Sequence, residues 1–122
     1  MYTALVLDST SQHRLKELLP TIAPPFEYDE VIAHHMTIYM GPCQYPPMLG
    51  QPFSMRVTEV GKNEKVLAVK VETECTSKNA VKHITVAVNR SNGGKPVMSN
   101  QITDWEPFQG TLILNGTVQE CN

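Results

Sequence analysis

His35-Met36-Thr37-Ile38-Tyr39-Met40-Gly41 and, in the second half of the chain, His83-Ile84-Thr85-Val86-Ala87-Val88-Asn89 decide how this sequence folds. Both stretches are apolar and rich in β-branched residues, the pattern of a strand. Side chains alternate across a strand, so His35, Thr37 and Tyr39 share one face and Met36, Ile38 and Met40 the other. In the second stretch His83 and Thr85 face away from Ile84, Val86 and Val88. Each polar face therefore opens with an imidazole followed by a hydroxyl, once in each half of the chain. By the same alternation His34 is expected on the face opposite His35, at the edge of the core.

Working outward, Tyr2–Leu7 reads as a central strand, and Asp8 and Ser9 as helix caps, with Gln12 completing a capping box from Ser9. Leu15, Leu18, Leu19 and Ile22 mark one helical face, and Pro20 is expected to end the helix near Leu19. A Pro-containing connector, 23–30, leads into the first His strand. The Pro-rich loop beyond Gly41, with Tyr45, has the composition of a lid or binding loop. Phe53–Val60 and Val66–Val71 predict an antiparallel hairpin turning at Gly61-Lys62-Asn63. A helical turn is expected near Ser99–Trp105, then two closing strands, Leu112–Leu114 and Thr117–Glu120. The class is α+β, mostly antiparallel.

A chain of 122 residues, 41% hydrophobic and 18% charged, is one domain, 1–122, with a core of ordinary size. No apolar run reaches the length of a membrane helix, so no membrane partner is expected. Three widely spaced cysteines and an apolar start without a basic leader predict free thiols and a cytoplasmic protein. The net charge of −2 argues against long nucleic acid as a partner, because such binders neutralise many phosphates with basic side chains. The oligomeric state is left open.

The two His-x-Thr strands resemble the two-histidine (2H) phosphoesterase superfamily, which is defined by a pair of such motifs on facing strands. The first copy also fits the longer His-x-Thr-x-x-x-Gly form, ending at Gly41; the second carries Asn89 there and fits only the short form. The resemblance spans the order of most elements, and among members the compact phage-type cyclic nucleotide phosphodiesterases are the most similar. It implies two pseudo-symmetric half-domains around a central cleft. The second half lacks a helix to match Ser9–Leu19.

The chemistry implied is hydrolysis of a phosphodiester without metal or cofactor. His35 and His83 would be the acid–base pair, since imidazole titrates near pH ~6.5 and two can hold opposite protonation states at neutral pH. Thr37 and Thr85, about 6.6 Å along each strand, would hold the non-bridging phosphate oxygens. Tyr39 and Trp105 are candidates to stack on a base, Lys82 and Asn79 to meet phosphate, and Glu120 to reach the site from a closing strand. The expected partner is a small cyclic nucleotide or oligonucleotide. An RNA-end 2′,3′-cyclic phosphodiesterase and a nucleotide-sequestering protein are the alternatives.

Overall fold

Alternation of apolar side chains produces a sheet that closes on itself. The computed structural model describes all 122 residues. Its strands are β1 (Tyr2–Leu7), β2 (Glu30–Val31), β3 (His35–Tyr39), β4 (Pro52–Lys62), β5 (Val66–Glu72), β6 (His83–Val88), β7 (Trp105–Pro107) and β8 (Ile113–Cys121). Hydrogen bonding runs β6-β3-β1-β8-β4-β5 and returns from β5 to β6, every pairing antiparallel. The result is a small barrel, with β2 extending the β3 side of β6 and β7 flanking β4. The interior takes alternate residues: Leu5 and Leu7, Met36 and Ile38, Met55 and Val57, Leu67 and Val69, Ile84 and Val86, Leu114 and Val118. The α+β class with mostly antiparallel sheet is what the sequence predicts. No helix is long and apolar enough to cross a membrane.

Helix α1 (Ser9–Glu17) starts at Asp8, whose carboxylate accepts from the Ser11 N–H at 2.7 Å, which holds that carboxyl below its ordinary pKa. Asp8 alone is the cap: Gln12 reaches back to the Leu7 carbonyl (2.9 Å) rather than pairing with Ser9. Pro20 does not stop the chain from coiling. It sits in the first turn of α2 (Leu19–Ile22), where no N–H is required of it. Leu15, Leu19 and Ile22 add their buried faces to the barrel core.

Two glycines mislead a reading by local propensity. The predicted turn at Gly61 is uninterrupted strand, and the hairpin turns two residues later, where Asn63 Oδ1 accepts from the Lys65 and Val66 N–H groups (2.8 and 3.0 Å). The two expected closing strands are one, β8, with Gly116 inside it because a Cβ there would meet the Val6 carbonyl oxygen at 2.6 Å. Gly61 is likewise a packing glycine: a Cβ would lie 2.5 Å from Trp105 Cε3 and 2.7 Å from Ile102 Cγ2. Gly61→Ala is therefore expected to displace the single tryptophan and lower stability by about 1–3 kcal/mol. Tryptophan emission followed through urea unfolding reads both effects, and an unchanged native spectrum would contradict this packing.

Candidate functional site

Strand β6 is buried along all six residues, because a second layer covers its outer face. There Val66, Ala68 and Val88 pack with Ile102, Met98 and Trp105, and a 3₁₀ turn, Pro96–Gln101, lies against β5 and β6. The turn is tied down by Thr85, whose Oγ1 contacts Ser99 Oγ at 2.7 Å and donates to the Pro96 carbonyl at 3.3 Å. A cavity of about 300 Å³ opens beside it, on the outer surface of the barrel. His35, Thr37, His83, Thr85, Asn79 and Tyr2 supply its polar and aromatic lining; Ile32, Met40, Pro96 and Val97 supply the apolar part. Larger depressions beside Lys62 contain no histidine.

The two His-x-Thr segments meet back to back. Met36 pairs with Ile84, the central residues of the two motifs, in an antiparallel register. That pairing is a local dyad, with His-Met-Thr running one way and His-Ile-Thr the other. Beyond it the strands splay. The loop preceding β6 fills the gap, with Ser77 Oγ donating to the Thr37 carbonyl (2.8 Å) and Lys78 N–H to the Ile38 carbonyl (2.8 Å). Asn79 is held at the cavity by its N–H, which donates to Ser77 Oγ (3.2 Å).

On the other side of the dyad the register slips. Ile32 and Ala33 N–H groups bond the Val86 and Thr85 carbonyls, but the next bridge is Met36 with Ile84, so His34 and His35 are extra residues on their strand. Ala33 takes the slip with φ at +42°, a left-handed conformation unfavourable for a Cβ-bearing residue. The bulge overturns the expected alternation. His34 does not point to the opposite face; its Nδ1 lies 3.0 Å from Nδ1 of His35, with the rings nearly edge to face.

The two motif histidines are consequently held differently. His83 is buried, and its Nδ1–H donates to the Val81 carbonyl at 2.8 Å. A carbonyl only accepts, so in the neutral ring the proton is fixed on Nδ1 and Nε2 keeps its lone pair. His35 has only another imidazole on Nδ1 and lies against Tyr2, ring centroids 5.0 Å apart. Burial, then the charges of His34 and His83, push His35 from 6.5 down to about 4. The cavity lining contains no carboxylate and no lysine or arginine.

The threonines differ too. Thr37 is half-buried and its hydroxyl bonds no other protein group, whereas the Thr85 hydroxyl is committed to Ser99 and Pro96. The remaining predicted candidates lie away from the cavity. Tyr39 packs against the core and over Gly41, where a Cβ would meet its ring at 2.7 Å; this is the local use of the motif's glycine. Lys82 Nζ donates to the Thr73 carbonyl (3.0 Å), and Trp105 covers Gly61 with Lys70 Nζ 5.1 Å from its ring centroid. Glu120 accepts from the Cys43 N–H (2.8 Å) and so anchors the Pro-rich loop, no residue of which beyond Met40 lines the cavity. Tyr2, Val97 and Asn100 are lining residues that motif reasoning misses; only Tyr2, an aromatic at the outward position of a strand start, carried a sequence signal.

No protein-family model matches this chain, and a search of curated proteins finds none that matches it.

Proposed function

We propose that this cavity is the active site of a phosphodiesterase that hydrolyses a small cyclic nucleotide with His35 and His83 as its acid–base pair. One observation carries the reading: imidazoles converge on a cavity whose lining has hydroxyl and amide groups but no carboxylate. Burial first, and then the neighbouring imidazoles, keep a proton off His35 while no counter-ion lines the cavity. A phosphodiester anion supplies the missing charge and draws a proton into the cluster. A structural histidine gains nothing from such an arrangement.

The pseudo-symmetry expected of the two halves is proposed here in a narrower form, as the dyad at Met36 and Ile84. In this reading one imidazole lies on either side of a bound phosphorus, so that one takes a proton from the attacking oxygen while the other protonates the departing one. Thr37 offers a free hydroxyl to a non-bridging oxygen, and Asn79 a side-chain amide. The volume, about 300 Å³, is at the lower end for ligand sites and suits one nucleotide unit at a time. The apolar rim of Met40 and Val97, both well exposed, offers a surface for a base.

Product analysis with cyclic mono-, di- and trinucleotides and an RNA ending in a 2′,3′-cyclic phosphate tests this. The expected result is hydrolysis of a small cyclic nucleotide that persists in excess EDTA, because imidazoles supply both proton transfers. The rate should vary little with salt, since the lining lacks the cationic groups that make polyanion capture salt-dependent. Activity confined to RNA ends and collapsing with salt would favour RNA-end processing. Tight binding without product would favour sequestration, and activity that disappears in EDTA and returns with a divalent ion would overturn the proton-pair chemistry.

A further inference from the structure

The geometry points to His34 as a positioning residue that makes His35 the proton-donating member of the pair, leaving His83 as the acceptor. This rests on the phosphodiesterase reading for its catalytic consequence, but not for its structural one. The dyad alone does not distinguish the two motif histidines; their Nδ1 partners do. His83 gives its Nδ1 proton to a backbone carbonyl, so its Nε2 is a lone pair. His35 meets Nδ1 of His34 at 3.0 Å, and a ring nitrogen can accept as well as donate.

Three groups bear on the state of His35: His34 through the bulge, His83 across the dyad and the Tyr2 ring tilted against it from β1. When the His34–His35 pair takes up one proton, burial opposes placing it on His35. The added charge then sits on His34, whose Nδ1–H donates to Nδ1 of His35. His35, neutral, must carry its own proton on Nε2. The bulge that creates this contact is maintained against the unfavourable backbone of Ala33, which is where a re-aimed side chain is expected.

The step balances as follows. The oxygen of water bonds phosphorus, and a water proton passes to Nε2 of His83. The departing oxygen keeps the electron pair of the broken P–O bond and takes the Nε2 proton of His35. The Nδ1 proton of His34 moves to Nδ1 of His35, so His35 never holds two protons beside His83. To reset the site, a solvent proton is taken up at Nε2 of His35 as its Nδ1 proton returns to Nδ1 of His34, and His83 releases its proton to solvent.

Long-range 15N–1H spectra of the free, labelled protein between pH ~5 and ~7 read the tautomers directly. His35 is expected as the Nε2–H form and His83 as the Nδ1–H form. His34→Ala should remove the single tautomer of His35. It should also lower kcat on a cyclic nucleotide by about tenfold to a thousandfold with KM little changed. The same variant should hydrolyse bis(p-nitrophenyl) phosphate at close to the wild-type rate, because p-nitrophenolate departs without a proton. His34→Asn serves as the second variant: its amide N–H can donate to Nδ1 but cannot be given up, so it should restore the tautomer and not kcat. A wild-type His35 carrying its proton on Nδ1, or a His35 signature unchanged in His34→Ala, would overturn the assignment. Should no phosphodiester be hydrolysed, the phosphodiesterase reading fails with the kinetic arm, and the tautomer spectra still decide the role of His34.

Discussion

His35→Gln and His83→Gln are each expected to lower turnover of the preferred cyclic nucleotide by about a hundred- to ten-thousandfold, with the fold retained. Both rings belong to one cavity, and the amide keeps part of their volume and, at position 83, a donor for the Val81 carbonyl. The double variant should be scarcely worse than the single ones, because acid and base act in one transition state and their losses do not add. The threonines should divide. Thr37→Ala removes a free hydroxyl and should lower kcat by about tenfold with normal thermal unfolding, in line with loss of one hydrogen bond to a charged oxygen of about 1.5 kcal/mol. Thr85→Ala also cuts the tether to the 96–101 turn, so lower thermal stability should accompany its kinetic loss. Near wild-type turnover by either histidine variant would overturn the two-histidine mechanism. Steady-state kinetics beside thermal melts measures both.

The second large effect is on stability against pH. The unfolded chain protonates an imidazole at position 35 below pH 6.5, the folded protein only below about 4. Between these values the unfolded state binds more protons, so stability is greatest above 6.5, falls as pH is lowered through the window, and levels off below it with respect to this group. The full effect of this one ring is at most about 3 kcal/mol, less because water partly screens it. Asp8, Asp29 and Glu30 are held low by their hydrogen bonds, so their stabilisation is lost only at lower pH, below their ordinary values of 3.8 to 4.5. Urea titrations of wild type and His35→Gln should therefore separate as pH falls across this window, the wild type losing stability and the variant showing the flatter profile. Parallel profiles would mean that His35 is not desolvated in the folded protein.

The strands and the site were legible to different depths. Period-two alternation marks β1, β3, β5 and β6 in the sequence because one face of each fills the barrel, and a burial constraint of that kind leaves its trace in every second residue. The His-x-Thr pair was legible for the same reason, as polar residues on the face left over. Gly61 and Gly116 were read as breaks, whereas they are strand positions where a neighbour comes too close for a Cβ. Such crowding comes from residues far away in sequence and leaves no local pattern. The position of His34 was hidden by a register slip relative to β6, which depends on a partner strand some fifty residues on. Trp105 and Glu120 have the right chemistry for a nucleotide site, but the order of strands in the barrel carries them elsewhere, and Lys82, next to His83, turns away to the Thr73 carbonyl.

The barrel has a consequence for how this protein meets others. In an open sheet the outermost strands leave a row of amide and carbonyl groups free, and a foreign extended segment can join there. Here β6 is flanked by β3 and β5, and the series returns to its start, so the main sheet has no outermost strand to offer. Only the short β2 and β7 leave edge groups free, so recognition passes mainly through side chains and loops. The same closure removes from the main sheet the template on which misassembled copies would stack edge to edge.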